Sequence, residues 1–297
     1  MGSIMKNRNI VKQDYQLVNA RYKLDTSEIK FIMSVLAQIN MDDKAFCTYE
    51  IKVSELEARL QVEQNSTRLK QFAKKLMSKP FEVPTDSGGW IVFNWFSKIQ
   101  FMPDQKKFIV RIDEDLKPFL LELEKRFVRY NLQYILPLTS SYSIRLYQLL
   151  KEYEKATKRT FTLEELQNIL QVPKSFTRYD NFKRKVLQVA EKELIGHCDI
   201  FFEYEEIKDG RKVNEILFRI KPNKWLKEED SNTLDGTNLD EELKPYIGKK
   251  LYLQGYNWLI ISISKNDKNY SIFCQEIDDK NYTKTFEISE AQLRAAK

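Results

Sequence analysis

The sequence predicts an α+β chain of two tandem winged helix-turn-helix domains followed by a small β unit. Three observations lead there: a domain-sized internal repeat, the same helix and hairpin order within each copy, and a change of composition near residue 228. Its 297 residues are 42% hydrophobic and 12% aromatic, enough to fill real cores rather than remain disordered.

The repeat is read by offsetting the chain by 110. SELEARLQV (54–62) then falls on EELQNILQV (164–172), and positions 55–75 match at nine of 21 places without a gap. A period this long means two copies of one domain, not a solenoid. Downstream, FIVRI (108–112) resembles ILFRI (216–220) at a slightly shorter offset, as a length change in a hairpin would give.

In the first copy Asp25-x-x-Glu28 is a helix start, followed by Ile29, Ile32, Leu36 and Ile39 on one face. The segment Phe46–Ile51 is extended and leads to a second helix through Leu56 and Leu60. Asn65-Ser66 opens a third helix that Pro80 stops after Ser78. Two extended segments follow, Trp90–Phe101 and Lys107–Ile112, joined by a turn at Pro103-Asp104. In the second copy a helix spans Ser141 to Tyr153, and Thr162-x-x-Glu165 boxes the next, to Leu170. Beyond Pro173 a long helix runs to Leu194 with Gly196 as its C-cap. Strands Asp199–Ile207 and Val213–Ile220 close on an Asp209-Gly210 turn. Three helices and a hairpin make a winged helix, whose third helix enters the DNA major groove.

The third helices carry the chemistry. At ~100° per residue, Leu69, Phe72, Ala73 and Leu76 share one face, and Gln71, Lys74 and Lys75 the opposite one. In the second copy Tyr179, Phe182, Val186 and Ala190 line the apolar face, against Asn181, Arg184, Lys185 and Gln188. Arg and Lys suit guanine O6/N7, Asn and Gln suit adenine N6/N7, and spare cations neutralise phosphates. Residues 66–79 hold five basic residues and no acid. One cationic helix face is ordinarily just a solvated surface; the same face in both copies argues for DNA. The candidate contacts are Thr67, Arg68, Lys70, Gln71, Lys74 and Lys75 in the first copy. In the second they are Arg178, Asn181, Lys183, Arg184, Lys185 and Gln188, with Arg211 and Lys212 at the hairpin tip. Lys183 sits nearest the core face and is expected to snorkel to a phosphate. The aromatics Trp90, Phe93, Trp95, Phe96, Phe101 and Phe108 read as core or dimer interface before a single-strand stacking platform.

Composition narrows the alternatives. The one histidine, His197, follows a helix end and reads as a strand-entry residue. With Cys47, Cys198 and Cys274 scattered, neither a disulfide framework nor a zinc site is expected. Neither phosphate-loop nor dinucleotide glycine motif occurs, so no catalytic residue, metal or cofactor is assigned and an enzyme is disfavoured. No run reaches the ~18 apolar residues of a membrane span, Lys6 stands where a myristoylation signal needs Ser or Thr, and Met5 is read as the natural start. A reducing cytoplasm is the expected compartment. From residues alone the chain reads as a winged-helix protein that binds duplex DNA, and a dimeric winged-helix repressor stays open. A nicking rolling-circle initiator would need a His-rich metal cluster.

Several segments carry a family resemblance. VKQDYQLVNARYKLDTSEIKFIMSVLAQI (11–39) resembles the N-terminal motif of the iteron-binding, theta-type plasmid replication initiators. SSYSIRLYQLLKEYEK (140–155) and SFTRYDNFKRKVLQVAEKEL (175–194) resemble their second-domain signature. The resemblance spans about residues 9–224. It implies two winged helices that bind double-stranded origin iterons as a monomer, the strongest contacts coming from the second domain. It also implies a homodimer, formed through the first domain's hairpin region, that represses the initiator's own gene and so bears on plasmid copy control. A host replication initiator and the replicative helicase are implied partners, in a bacterial cytoplasm. The domains are then 9–125 (DNA binding, dimerisation) and 126–227 (main DNA-reading domain).

Residues 1–227 carry a net +10 and residues 228–297 a net −4. The stretch EEDSNTLDGTNLDEE (228–242) has no apolar periodicity, so 228–243 reads as an acidic linker. The tail, 244–297, lies outside the family's shared core. Four short strands, Lys250–Gln254, Trp258–Ile263, Tyr270–Gln275 and Tyr282–Phe286, and a closing helix suggest a small SH3-like barrel. Read as acidic, it is expected to dock a partner rather than clamp DNA.

Overall fold

The structure is a computed structural model that describes residues 9–40, 43–54, 65–85, 88–123, 127–223, 246, 249–254, 256–266, 269–276 and 283–295. The chain forms two compact units, Met1–Leu226 and Lys227–Lys297, and both repeat copies lie in the first.

The first copy opens with β1 (Ile10–Asp14), α1 (Tyr15–Asn19) and α2 (Thr26–Leu36). Asp25 caps α2 as expected. Its carboxylate accepts from the Glu28 N–H, and the Glu28 side chain accepts from the Asp25 N–H, satisfying two donors that the first turn would leave orphaned. Strand β2 (Tyr49–Lys52) follows. The predicted second helix, through Leu56 and Leu60, lies outside the described residues. Helix α3 (Ser66–Met77) starts where Asn65 accepts from the Arg68 N–H at 2.9 Å, and Ser78 is its C-cap.

Then come β3 (Phe81–Pro84), β4 (Trp90–Phe93), β5 (Phe96–Met102) and β6 (Lys107–Ile112). Here the expectation of one extended segment from Trp90 to Phe101 is corrected. Strand β4 pairs with β3, whereas β5 pairs with β6. The break falls at Trp95, which turns into the core and stacks on Phe81 with centroids 4.4 Å apart. A short helix α4 (Lys117–Leu120) precedes β7 (Phe127–Asn131), which pairs antiparallel with β1.

The second copy comprises α5 (Ser141–Lys151), β8 (Lys158–Thr162) and α6 (Leu163–Ile169), with Thr162 capping the last. Tyr179–Phe182, a π turn at Lys183–Leu187, and Gln188–His197 run on as one helix, α7. It does not stop at Leu194. Gly196 stays inside it, and Cys198, in extended conformation, is the C-cap. Strands β9 (Ile200–Asp209) and β10 (Lys212–Pro222) form the hairpin. Asp209 pairs with Lys212, so Gly210-Arg211 is the turn, and Gly210 takes the left-handed φ of 58° that a glycine tolerates.

Strand order demonstrates the duplication without reference to sequence identity. The first wing sheet runs β2-β6-β5 and the second β8-β10-β9, so in both the strand after the first repeat helix pairs with the last hairpin strand. Each sheet closes a core. Phe31 of α2 meets Phe72, Phe96 and Phe108 edge-on at 5.3, 5.9 and 5.7 Å, joining α3 to the wing. In the second copy Phe218 meets Phe161 and Phe202 at 6.0 and 5.2 Å.

Polar groups knit the copies together. The fully buried Gln148 of α5 donates to the Tyr130 hydroxyl at 2.7 Å, which donates to Gln13 at 2.8 Å. The Arg145 guanidinium donates to the carbonyls of Val18 and Ala20 at 2.8 and 2.9 Å and to the Tyr22 hydroxyl. Arg159 of β8 reaches Asn19 at 2.7 Å. With Gln148, Arg145 and Arg159 each bonded to residues of the first copy, this junction is specific rather than merely apolar.

The second unit is an antiparallel meander, β11 (Lys250–Leu253), β12 (Tyr256–Asn266), β13 (Asn269–Glu276) and β14 (Thr283–Ile288), followed by α8 (Glu290–Arg294). All four predicted strands and the helix are present. Among the described residues β11 and β14 are the edges of an open sheet, so the pairing that would close an SH3-like barrel is not among them. Trp258, Ile260, Ile272 and Phe286 fill its core. The acidic linker lies outside the described residues. Most of the tail's negative charge belongs to that linker: residues 244–297 alone hold nine basic and six acidic residues, which corrects their description as acidic.

Candidate nucleic-acid interface

In α3 burial follows the helical wheel. Leu69 and Leu76 are buried and Phe72 and Ala73 half-buried, while Thr67, Arg68, Lys70, Gln71, Lys74 and Lys75 are all exposed. The six predicted contacts therefore lie together on the solvent side of one helix. One of them is engaged. Lys75 Nζ lies 2.6 Å from Asp25 and 3.5 Å from Glu28, and its bond to Asp25 raises its pKa. Next to it, Lys79 pairs with the fully buried Glu28 at 2.5 Å. These ion pairs fasten α3 to the start of α2, and Lys70 and Lys74 make none among the described residues.

In α7 the π turn alters the expected faces. One extra residue in a helical turn advances everything after it, so Val186 and Leu187 are both buried. Leu187 was absent from the predicted apolar face. Arg184, Lys185 and Gln188 remain exposed, as do Arg178 just ahead of the helix and Arg211 and Lys212 at the hairpin tip. Arg178 is 3.8 Å from Asp180, with both side chains almost fully in solvent.

Two predicted contacts have internal partners. Asn181 is half-buried; its Nδ2 donates to the Ser175 carbonyl at 2.9 Å, and its Oδ1 accepts from Arg184 at 3.3 Å. It thus ties α7 to the 3₁₀ turn Lys174–Phe176 and orients the guanidinium beside it. Lys183, with 38% of its side chain exposed, is not free for the snorkelling phosphate contact expected of it. It pairs with Glu206 of β9 at 2.7 Å, a bond that raises the lysine's pKa and lowers the glutamate's. Sequence periodicity could not foresee this partner, because β9 approaches α7 only through the tertiary fold. Lys174, exposed in the 3₁₀ turn, adds a cation ahead of Arg178 that the wheel did not count.

The aromatics separate cleanly. Phe93, Trp95, Phe96 and Phe108 are buried and Phe101 is half-buried, leaving Trp90 alone exposed, at 70%. Four of the six therefore cannot stack on bases, and Phe101 leans on Phe108 with centroids 5.5 Å apart. Among the described residues no cluster of His, Cys, Asp or Glu could hold a metal ion, and no helix is long and apolar enough to cross a membrane.

Comparison with known proteins agrees with this geometry. Residues 10–151 match the family described as "Initiator Replication protein, WH1", and residues 162–220 match "Initiator Rep protein, WH2". The chain belongs to the initiator Rep protein family. It is a replication initiator of the two-winged-helix type. A replication initiation protein of Escherichia coli is 24% identical over 71% of this chain and 69% of its own length. A probable replication protein rep of Bifidobacterium longum is 26% identical over 65% of each chain. The crystal structure of the Pi initiator protein in complex with iteron DNA shares the fold, with a TM-score of 0.59 at 19% identity, covering 73% of this chain and 98% of that one. These matches reach the winged-helix copies of this Rep protein.

Proposed function

We propose that this Rep protein starts plasmid replication by binding direct repeats in its origin as a monomer, with α3 and α7 in successive major grooves. The observation that carries this is the paired one: two wings of identical strand order, each with an exposed cationic third helix. Arg184, Lys185 and Gln188 read base edges; Arg178, Lys174, Arg211 and Lys212 serve phosphates. In α3, Gln71 and Arg68 face bases and Thr67, Lys70 and Lys74 the backbone. Lys75 trades Asp25 for phosphate only if that ion pair opens. Asn181 positions Arg184, and Lys183 holds the wing through Glu206. The domain limits that suit this division are 9–125, 126–227, a linker 228–243 and a tail 244–297. The protein works by binding, in a bacterial cytoplasm. Its partners beyond DNA are a host initiator and the replicative helicase, and the tail is the surface free to meet them.

The proposal fixes a stoichiometry. Two recognition helices on one DNA face span about two helical turns, ~20 bp. Native mass spectrometry on a single direct repeat should give one chain per repeat. An obligate dimer there would return the protein to the repressor class. Lys74→Ala should weaken all sequences alike and flatten the salt dependence by about one unit, because one phosphate contact releases about one counterion. An unchanged slope in filter binding would remove Lys74 from the interface.

A repressor dimer, where it forms, has an evident surface. Strand β4 exposes Trp90, Ile91 and Val92 in succession, at 70, 45 and 47%, in a two-stranded ribbon. Such an apolar strand invites pairing with a second copy. Trp90→Lys should shift the free protein toward monomer in light scattering while single-repeat binding survives. A dimer as stable as wild type would place the contact elsewhere.

A further inference from the structure

Arg145 is an unusual buried cation. Only 3% of it is exposed, and two hydroxyl or amide oxygens (Tyr22, Gln148) and two carbonyls (Val18, Ala20) take its terminal N–H groups. No carboxylate is among these partners, and its Nε–H has none at all. Buried charges are ordinarily paired with an opposite charge, since hydrogen bonds to neutral oxygens only partly replace hydration. Among the described residues no carboxylate bonds to Arg145.

Arg145 also lines a cleft of about 240 Å³ between the two copies, where Tyr22, Lys23 and Lys79 face Ser141 and Tyr142. Those last two residues begin α5, an eleven-residue helix whose N-terminal end is electropositive; just ahead of it Glu193 accepts from the Thr139 and Ser140 N–H groups at 3.1 and 3.3 Å. One acid, Asp25, also lines the cleft, and it is held by Lys75 at 2.6 Å. Lys79 is matched by Glu28. Those pairs cancel, so Lys23 and Arg145 leave the cleft with two uncompensated positive charges. Lys23 is exposed and makes no ion pair among the described residues. At about 30 Å³ per water, the volume holds a tetrahedral oxyanion with room for hydration.

We infer that this cleft binds a phosphate group, which bridges the two winged-helix copies through Lys23, the start of α5 and the field of the buried Arg145. The group has two sources, a free phosphate compound or a phosphate of the DNA backbone running between the two recognition helices. In either case the bound anion ties Lys23, on the first copy, to α5, on the second, and so stiffens the arrangement that sets the distance between α3 and α7.

Pyrophosphate is the first probe, titrated into the full-length protein and followed by thermal unfolding against chloride at equal ionic strength. Wild type should be stabilised saturably. Lys23→Gln should bind about tenfold more weakly, Lys23→Arg should retain binding, and Lys208→Gln, on the remote wing, should behave as wild type. Because this titration contains no DNA, its outcome is independent of the proposed origin recognition. The second probe is a set of duplexes carrying one neutral methylphosphonate at successive backbone positions. A single position that weakens wild type about tenfold, yet leaves Lys23→Gln unaffected, identifies the occupant as DNA phosphate. Pyrophosphate binding without such a position identifies a free phosphate compound. No saturable stabilisation and no such position, or full binding by Lys23→Gln in both assays, overturns the inference.

Discussion

Arg184→Ala should cost about 1–3 kcal/mol of specific binding and flatten the preference among single-base variants of the site. The residue sits on the exposed side of α7, within the π turn, and its guanidinium is held 3.3 Å from the Asn181 side chain. A guanidinium whose rotamer is already supported loses less freedom when it meets guanine, so more of the contact appears as affinity. Asn181→Ala should therefore reproduce part of the loss without any base contact of its own. It also frees the Ser175 carbonyl, loosening the turn that carries Lys174. The measurement is binding to a panel of single-base variants at one fixed salt concentration. Equal discrimination by wild type and Arg184→Ala would remove Arg184 from the base-reading set. Lys185→Ala, lying in the same turn with no such support, should lose less.

The recognition helices were legible because their signals are local. Asn65 and Asp25 cap with side chains that reach three residues ahead, and the apolar faces of α3 and α7 repeat at helical spacing. Both depend only on neighbours in sequence. What could not be read is non-local. Strands β1 and β7 pair across more than a hundred residues, and IVKQD carries no strong alternation to announce a strand. The division of Trp90–Phe101 depends on Trp95 finding Phe81, a stacking partner outside the segment. Gly196 resembles a C-cap in any sequence window, yet α7 continues through it, because Leu194 is buried against the core and Cys198 takes the extended conformation.

The candidate site divides in the same manner. Exposure of Arg68, Gln71, Arg184 and Lys185 follows from the wheel. The bonds from Lys75 to Asp25 and from Lys183 to Glu206 do not, since each joins a recognition helix to an element distant in the chain. These two ion pairs limit any argument from charge counting. A lysine on the right face of a recognition helix contributes to DNA affinity only to the extent that it is not already engaged.

Phe31→Ala should destabilise the first winged helix by about 3–5 kcal/mol, the largest effect expected of any single truncation considered for it. Phe31 is 1% exposed and its ring is the meeting point of Phe72 on α3, Phe96 on β5 and Phe108 on β6. Removing it leaves a cavity between three elements that have no other common partner among these rings, and three edge-on contacts worth about 0.5–1.5 kcal/mol each are lost together. Phe31→Leu should recover much of the stability by refilling volume, while still losing the ring contacts. The functional consequence is separable from unfolding. In protein that remains folded at low temperature, α3 keeps its ion pairs to Asp25 and Glu28 but loses the ring under Phe72, so its angle to the wing is no longer fixed. Protection of the half-site read by α3 should then weaken while the half-site read by α7 stays protected. Urea unfolding gives the first quantity and hydroxyl-radical footprinting the second. A uniform loss across both half-sites would mean that the two copies unfold and read DNA as one cooperative body, which the dense polar junction around Arg145 and Gln148 would then explain.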